Sequence, residues 1–464
     1  MGVVWATLEQ SYETIRGAFT PEQFGVFLNM YSCEVDENYL VAFHEHFHHW
    51  QSVFTPYGHM KWECDRSASS EIINIWLAST ASTPNKRPLP AAAMYEVKDE
   101  NRMAGMAQIF VQDFARQVAA ISERVVGNYW LQKIIPVSMT EICPIINLDF
   151  GPYKLNGIDI LEGFAKFQEA SLAFLIEQKH LAEIIDPNVL RPEYYSALWY
   201  FYEKIGGERI VEFPVVCELA LSSSRLCIID RTDKWKEHFP AWRFIKIIDV
   251  ISGYGPEECL TLDSIEDKFD SYVATTLKKC GFVSWNESWK GPEEYVSEND
   301  LNIPNEMLRA ICFKRKYPWA LSFPFINAQV LKEMMEFHPY YFITTDKSGY
   351  TVATEALGQE VMFENHYQAF SHQICGHISP RCVDCSKLQC GFSYYGIQGC
   401  RYQLDGSCEG YVDKNSNLPA LCLDGRQNVI EGCMFEAFLS ILGISIKDLD
   451  ISDMSKRIDP AVIK

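Results

Sequence analysis

Val41-Ala-Phe-His-Glu-His-Phe-His-His-Trp50 carries four histidines in six residues, and the fold reading starts from it. Within it His44, Glu45 and His48 spell His-Glu-x-x-His. Residues four apart share one face of a helix, so the two imidazoles are spaced to grip one metal ion, with Glu45 beside it as a general base. The surrounding residues are uncharged and mostly bulky, as a buried helix requires: Val41, Ala42 and Phe43, then Phe47, His49 and Trp50. His46 and His49 read as packing or second-layer residues. The plain alternative is a helix whose histidines are satisfied by hydrogen bonds alone. Asp36 suits an N-cap, and the helix, about residues 37–54, stops before the turn residues Thr55-Pro56-Tyr57-Gly58.

Catalytic zinc takes three protein ligands and keeps one position for water, so a third ligand is needed from another element. Leu161-Glu-Gly-Phe-Ala-Lys-Phe-Gln-Glu169 offers the best one. It lies in the first turns of a long helix, and Gly163 and Ala165 are small enough to let another helix approach. Glu431, in Glu431-Gly-Cys-Met-Phe-Glu436, is a rival. His59 is weaker still, because its spacing from His48 is not that of the metzincin class of zinc peptidases.

The pair His-Glu-x-x-His and Glu-Gly-Phe-Ala-x-aromatic-x-Glu resembles the gluzincin class of zinc metallopeptidases. The resemblance covers about ten residues at each motif. It implies His44 and His48 as zinc ligands, Glu45 as base and Glu162 as third ligand, and gives Glu169 no metal role. The gap from His48 to Glu162 is longer than in gluzincin aminopeptidases, and their Gly-x-Met-Glu-Asn segment is absent, so aminopeptidase activity is not implied. The implied chemistry is zinc-dependent hydrolysis of a peptide or protein substrate, or of a related amide. Zinc lowers the pKa of its water to about 7, and Glu45 takes the proton. Tyr153, Tyr194, Tyr195 and His59 are all candidate donors to the developing oxyanion.

Two other readings use the same residues. Glu45-x-x-His48 is half of a di-iron carboxylate site, and Glu177-x-x-His180 is a second copy. Glu162 and Glu177 lie 15 residues apart on one expected helix, about 22 Å, too far to share a site. Glu34 or Glu37 would have to complete such a centre. The other reading is a non-catalytic binding protein that holds metal structurally.

Composition narrows the setting. Acidic residues number 61 against 41 basic ones, a formal net charge of -20, which disfavours phosphate backbones and anionic membranes as partners. No apolar run approaches the roughly 18 residues a membrane span needs. The N-terminal residues lack the basic-then-apolar pattern of a secretory leader, so the expectation is a cytoplasmic protein with reduced thiols.

The overall expectation is a mainly α (α+β) architecture: a zincin-like helical core with a small β-sheet over residues 1–345, and a Cys-rich unit over 346–464. Residues 1–20 read as an amphipathic helix and Phe24–Met30 as a strand. Helices are expected over Ser67–Ser79 and Asn101–Val126, with a loop at Ala81–Pro90 and irregular or extended chain over Ile134–Tyr153. A long helix is expected over Ile158–Ile185, capped by Asn156 and stopped by Asp186-Pro187, and another over Arg191–Ile205. Further helices fall near 212–224, 262–281, 304–315 and 324–337. Tyr341–Thr351 reads as a hairpin turning at Asp346-Lys-Ser-Gly349. Eight of the 16 cysteines fall between Cys375 and Cys433. Among them Cys375, Cys382, Cys385 and Cys390, with Cys382-x2-Cys385 at chelating spacing, are candidate ligands for a structural zinc or an iron–sulfur cluster.

Overall fold

The computed structural model describes residues 17–20, 25–29, 38–59, 87–88, 143–149, 151–181, 185, 190–223, 239–290, 302–339, 341–346, 349–354, 387–389, 411–413 and 449–450. Contacts divide the chain into two compact units, one of Glu13–Glu63 with Gln117–Gly358, the other of Met1–Tyr12, Cys64–Arg116 and Gln359–Lys464. The described residues are mostly helical, with small sheets.

In the first unit, strands β1 (Gly17–Thr20), β2 (Gly25–Asn29), β5 (Tyr341–Asp346) and β6 (Gly349–Thr354) form one sheet in the order β1-β2-β5-β6. β1 pairs antiparallel with β2, β2 runs parallel to β5, and β5 and β6 form the hairpin. Gly17–Thr20 is therefore strand rather than the end of a helix, because pairing with β2 overrides local helical spacing. The expected unit boundary at 345/346 runs through the β5–β6 hairpin. A second hairpin joins β3 (Ile145–Leu148) to β4 (Gly151–Lys154). Gly151, at φ +111°, makes its turn possible.

Helix α1 spans Asn38–Phe54 and α2 Gly157–Glu177. On α1 the buried Leu40, Phe47, Trp50 and Phe54 recur at helical spacing. Phe47 meets Phe164 of α2 edge-on at 4.9 Å, and the Trp50 indole donates to the Phe337 carbonyl at 2.9 Å. Asn156 is the N-cap of α2. Its own N–H donates to Asp159 Oδ2 at 2.5 Å, while the Tyr153 hydroxyl donates to Asp159 Oδ1 at 2.7 Å. The helix ends at Glu177, well short of Ile185, because Gln178 turns into the left-handed region (φ 58°) and its N–H closes on the Phe174 carbonyl.

After a 3₁₀ turn at Pro192–Tyr194 come α3 (Ser196–Ile205), α4 (Phe213–Ala220), α5 (Pro240–Ile251), α6 (Ile265–Cys280), α7 (Asn302–Lys316) and α8 (Ala328–Met334). The spacing-based reading missed α5, whose Phe244, Ile247, Ile248 and Ile251 form a buried stripe behind an N-terminal proline.

A buried ion pair ties three of these helices together. Lys314 Nζ lies 2.5 Å from Glu218 Oε1, the Ser322 hydroxyl donates to Glu218 Oε2 at 2.6 Å, and Gln168 of α2 donates to the Ser322 carbonyl at 2.8 Å. Both charged side chains are 1% exposed. Burial lowers the Lys314 pKa, and Glu218 only partly restores it. Lys314→Met strands a carboxylate in the interior and is expected to cost about 3–5 kcal/mol in urea unfolding, with Glu218→Leu/Lys314→Met recovering most of the loss.

The second unit's described residues are two short pairings. Arg87–Pro88 runs parallel to Leu449–Asp450, and Lys387–Gln389 antiparallel to Tyr411–Asp413. The Ala81–Pro90 loop therefore contains a two-residue strand. The helices expected over Ser67–Ser79 and Asn101–Val126 lie outside the described residues, as do Asp36, Glu34, Glu37, Glu431, Cys375, Cys382, Cys385 and Cys390.

Candidate metal centre

The site grows from two helix faces. His44, His48 and Gln51 follow one another by about one turn on α1, while Glu162 and Glu169, seven apart, lie two turns along one face of α2. Packing α1 on α2 brings these faces together. His44 Nε2 lies 3.1 Å from Glu162 Oε2, His48 Nε2 lies 3.2 Å from the same oxygen, and the two Nε2 atoms are 3.2 Å apart. The imidazole rings stand edge to face at 4.8 Å. Among the described residues this is the one group of three such side chains placed to hold a metal ion. Gly163, next to Glu162, packs against α3 and the turn before it: a Cβ there would stand 3.4 Å from Ala197 Cβ and 3.9 Å from the Tyr194 carbonyl oxygen.

Hydrogen bonds behind the rings fix which atoms face inward. Glu169 Oε2 accepts from His44 Nδ1 at 3.0 Å, and Lys166 Nζ donates to Glu169 Oε1 at 2.6 Å. Gln51 Oε1 accepts from His48 Nδ1 at 2.7 Å. With Nδ1 donating on both rings, a neutral imidazole turns its Nε2 lone pair toward Glu162. Three acceptors then meet at about van der Waals contact, an arrangement that needs positive charge at its centre. Zinc bonds of about 2.0–2.1 Å at tetrahedral angles place ligand atoms about 3.3 Å apart, so two imidazole nitrogens and a carboxylate oxygen at these spacings fit zinc.

Electrostatics show the same demand for positive charge, which a proton on His44 also meets. Burial disfavours a charged His44, but its bonds to Glu162 and Glu169 outweigh that and raise its pKa to about 10. Burial pushes Glu162 up, yet His48 and His44 hold it well below the usual carboxylate range. Glu45, 7% exposed, is raised to about 7, because burial exceeds the opposing pull of His44 and His48. Such a carboxyl exchanges protons near neutrality.

Of the four residues named as oxyanion donors, Tyr194 stands beside the cluster. Its ring is 5.7 Å from that of His44, and its pKa is pushed up first by the Glu162 charge, then by burial and by Glu45. Tyr153 is bonded to Asp159. His59 donates from Nε2 to the Val53 carbonyl at 2.6 Å and packs on Trp289, and burial lowers its pKa to about 4. Tyr195 is buried directly before α3.

His46 and His49 are buried packing residues. His46 stacks edge-on against Trp50 at 4.9 Å, and burial lowers both pKa values, that of His46 to about 4. Glu177 sits at the far end of α2 from Glu162, accepting from the Tyr39 hydroxyl and 2.6 Å from Lys179, while His180 is exposed beyond the helix end. Glu177 and His180 therefore do not share a helix face. Gln51 and Lys166 were not singled out in the sequence, and Glu169 was noted there without a role. The one signal was position, three residues after His48 for Gln51 and seven after Glu162 for Glu169.

No protein-family model, curated protein or solved structure matches this chain. Among the described residues no helix is long and apolar enough to cross a membrane.

Proposed function

We propose that this chain is a zinc-dependent hydrolase of peptide or related amide bonds, built on a zincin-like helical core. His44, His48 and Glu162 serve as ligands and Glu45 as general base. The observation that carries the reading is the meeting of His44 Nε2, His48 Nε2 and Glu162 Oε2 within 3.1–3.2 Å beside buried Glu45. Three protein ligands rather than four is the number that leaves a position for water. Zinc held by these three side chains would lower the pKa of water to about 7 and polarise a carbonyl. Glu45 accepts the proton of the attacking water and hands it to the leaving nitrogen. Tyr194 donates to the oxygen on which charge builds. The acidic balance and the 16 cysteines suit a cytoplasmic setting with no nucleic-acid or membrane partner.

The test is cleavage of a fluorescence-quenched peptide library by zinc-loaded and chelator-treated protein. Cleavage that appears only with zinc supports the proposal. Full zinc occupancy without cleavage of peptides or amides would sink it. That outcome would favour a metal that only braces α1 against α2, a reading helped by side-chain exposures of 7% for His44, 11% for His48 and 17% for Glu162. Tyr194→Phe is expected to lower kcat by about 10²–10³ with zinc content unchanged, as for loss of one oxyanion donor. A structural zinc or iron–sulfur cluster at Cys375, Cys382, Cys385 and Cys390 is a separate part of the proposal. Total metal beyond one ion per chain would support it.

A further inference from the structure

Gln51 makes two hydrogen bonds that no other residue at the cluster combines. Its Oε1 accepts from His48 Nδ1 at 2.7 Å, and its Nε2 donates to the Leu161 carbonyl at 3.0 Å. Leu161 immediately precedes Glu162, so one amide touches the ring of one ligand and the backbone beside another. The side chain is 2% exposed.

The amide's orientation follows from chemistry. A backbone carbonyl can only accept, so the NH₂ group must face Leu161 and the oxygen must face His48. The reverse orientation would set two carbonyl oxygens 3.0 Å apart in a buried site. With oxygen facing His48, Nδ1 must carry a proton, and in the neutral ring that leaves the lone pair on Nε2, the atom beside Glu162. His44 is set the same way by a different acceptor, the Glu169 carboxylate paired with Lys166. A carboxylate at position 51 could accept from His48 but, ionised, could not donate to Leu161. This explains an amide on one histidine and an acid on the other.

We propose that Gln51 is a positioning residue that locks the His48 tautomer and so sets the metal affinity of the cluster. The affinity half of this inference rests on the zinc reading above; the tautomer half does not. Partners behind metal-bound histidines are typically worth 10–100-fold in affinity.

Two readouts test it on the full chain. Zinc affinity, measured by competition with a chromophoric chelator, is expected to fall about 10–100-fold in Gln51→Met and to return most of the way in Gln51→Glu, which keeps an acceptor for His48. Nitrogen-15 NMR of labelled histidine is expected to find His48 protonated at Nδ1 in the wild type and shifted toward Nε2 in Gln51→Met. A purely packing role would lower the melting temperature and move neither readout. Wild-type affinity and an unchanged tautomer in Gln51→Met would overturn the proposal, as would Gln51→Glu binding as weakly as Gln51→Met. A wild type that binds no zinc, but whose His48 tautomer responds to Gln51, would remove the zinc reading and leave the lock standing.

Discussion

On the proposed zinc-hydrolase reading, Glu45→Gln is expected to lower kcat for amide hydrolysis by about 10²–10⁴ with zinc content unchanged. The substitution is nearly isosteric, so the buried volume beside His44 and His48 is filled as before. It removes a group whose pKa, at about 7, lets it both accept and release a proton near neutrality. Glu45 is not among the three side chains that converge, so elemental analysis should return the wild-type metal content. KM should change little, because the lost interaction belongs to the transition state rather than to substrate binding. A variant with full zinc and wild-type kcat would remove Glu45 from the chemistry.

His44→Ala is expected to abolish zinc binding at the cluster, lowering the metal content by one ion per chain. His44 Nε2 supplies one of the three converging donors, and its Nδ1 bond to Glu169 holds the fourth turn of α2 against α1. Alanine leaves His48 and Glu162, too few protein donors for a four-coordinate site with only one water position. Stability should report the same loss. Zinc at 100 times its Kd should stabilise the wild type by about 2.7 kcal/mol and the variant hardly at all. Unchanged metal content would place the bound ion elsewhere, with the cysteines of residues 375–433 as the next place to look.

The parts of this arrangement that could be read in advance are those set by a single helix. A four-residue interval puts His44 and His48 on one face whatever surrounds them, and the seven-residue interval does the same for Glu162 and Glu169. The meeting of those two faces depends on α1 packing against α2, which the intervals do not encode. Choosing Tyr194 among four donors required the 3₁₀ turn at Pro192–Tyr194, and Gln51 required the position of the Leu161 carbonyl. Helix ends were legible where a residue forces them, as at Gly206 with φ +96° after α3. They were not legible at Gln178, which enters the left-handed region without being glycine. Gly17–Thr20 was misread because β1 becomes strand through pairing, and its inner neighbour β2 is completed by a segment more than 300 residues away.

That last pairing bears on how the chain is made. β2 is complete once residue 29 has been synthesised, but its parallel partner begins at Tyr341. At about 5–20 residues per second, some 15–60 s pass between the two on the ribosome. The Phe337 carbonyl that receives the Trp50 indole arrives equally late. Throughout that interval the histidine helix has emerged without its sheet or its C-terminal anchor. Such distant contacts also slow refolding of the finished chain, since loop closure must precede any gain from pairing. The histidine helix is thus translated 287 residues ahead of the carbonyl that anchors its Trp50.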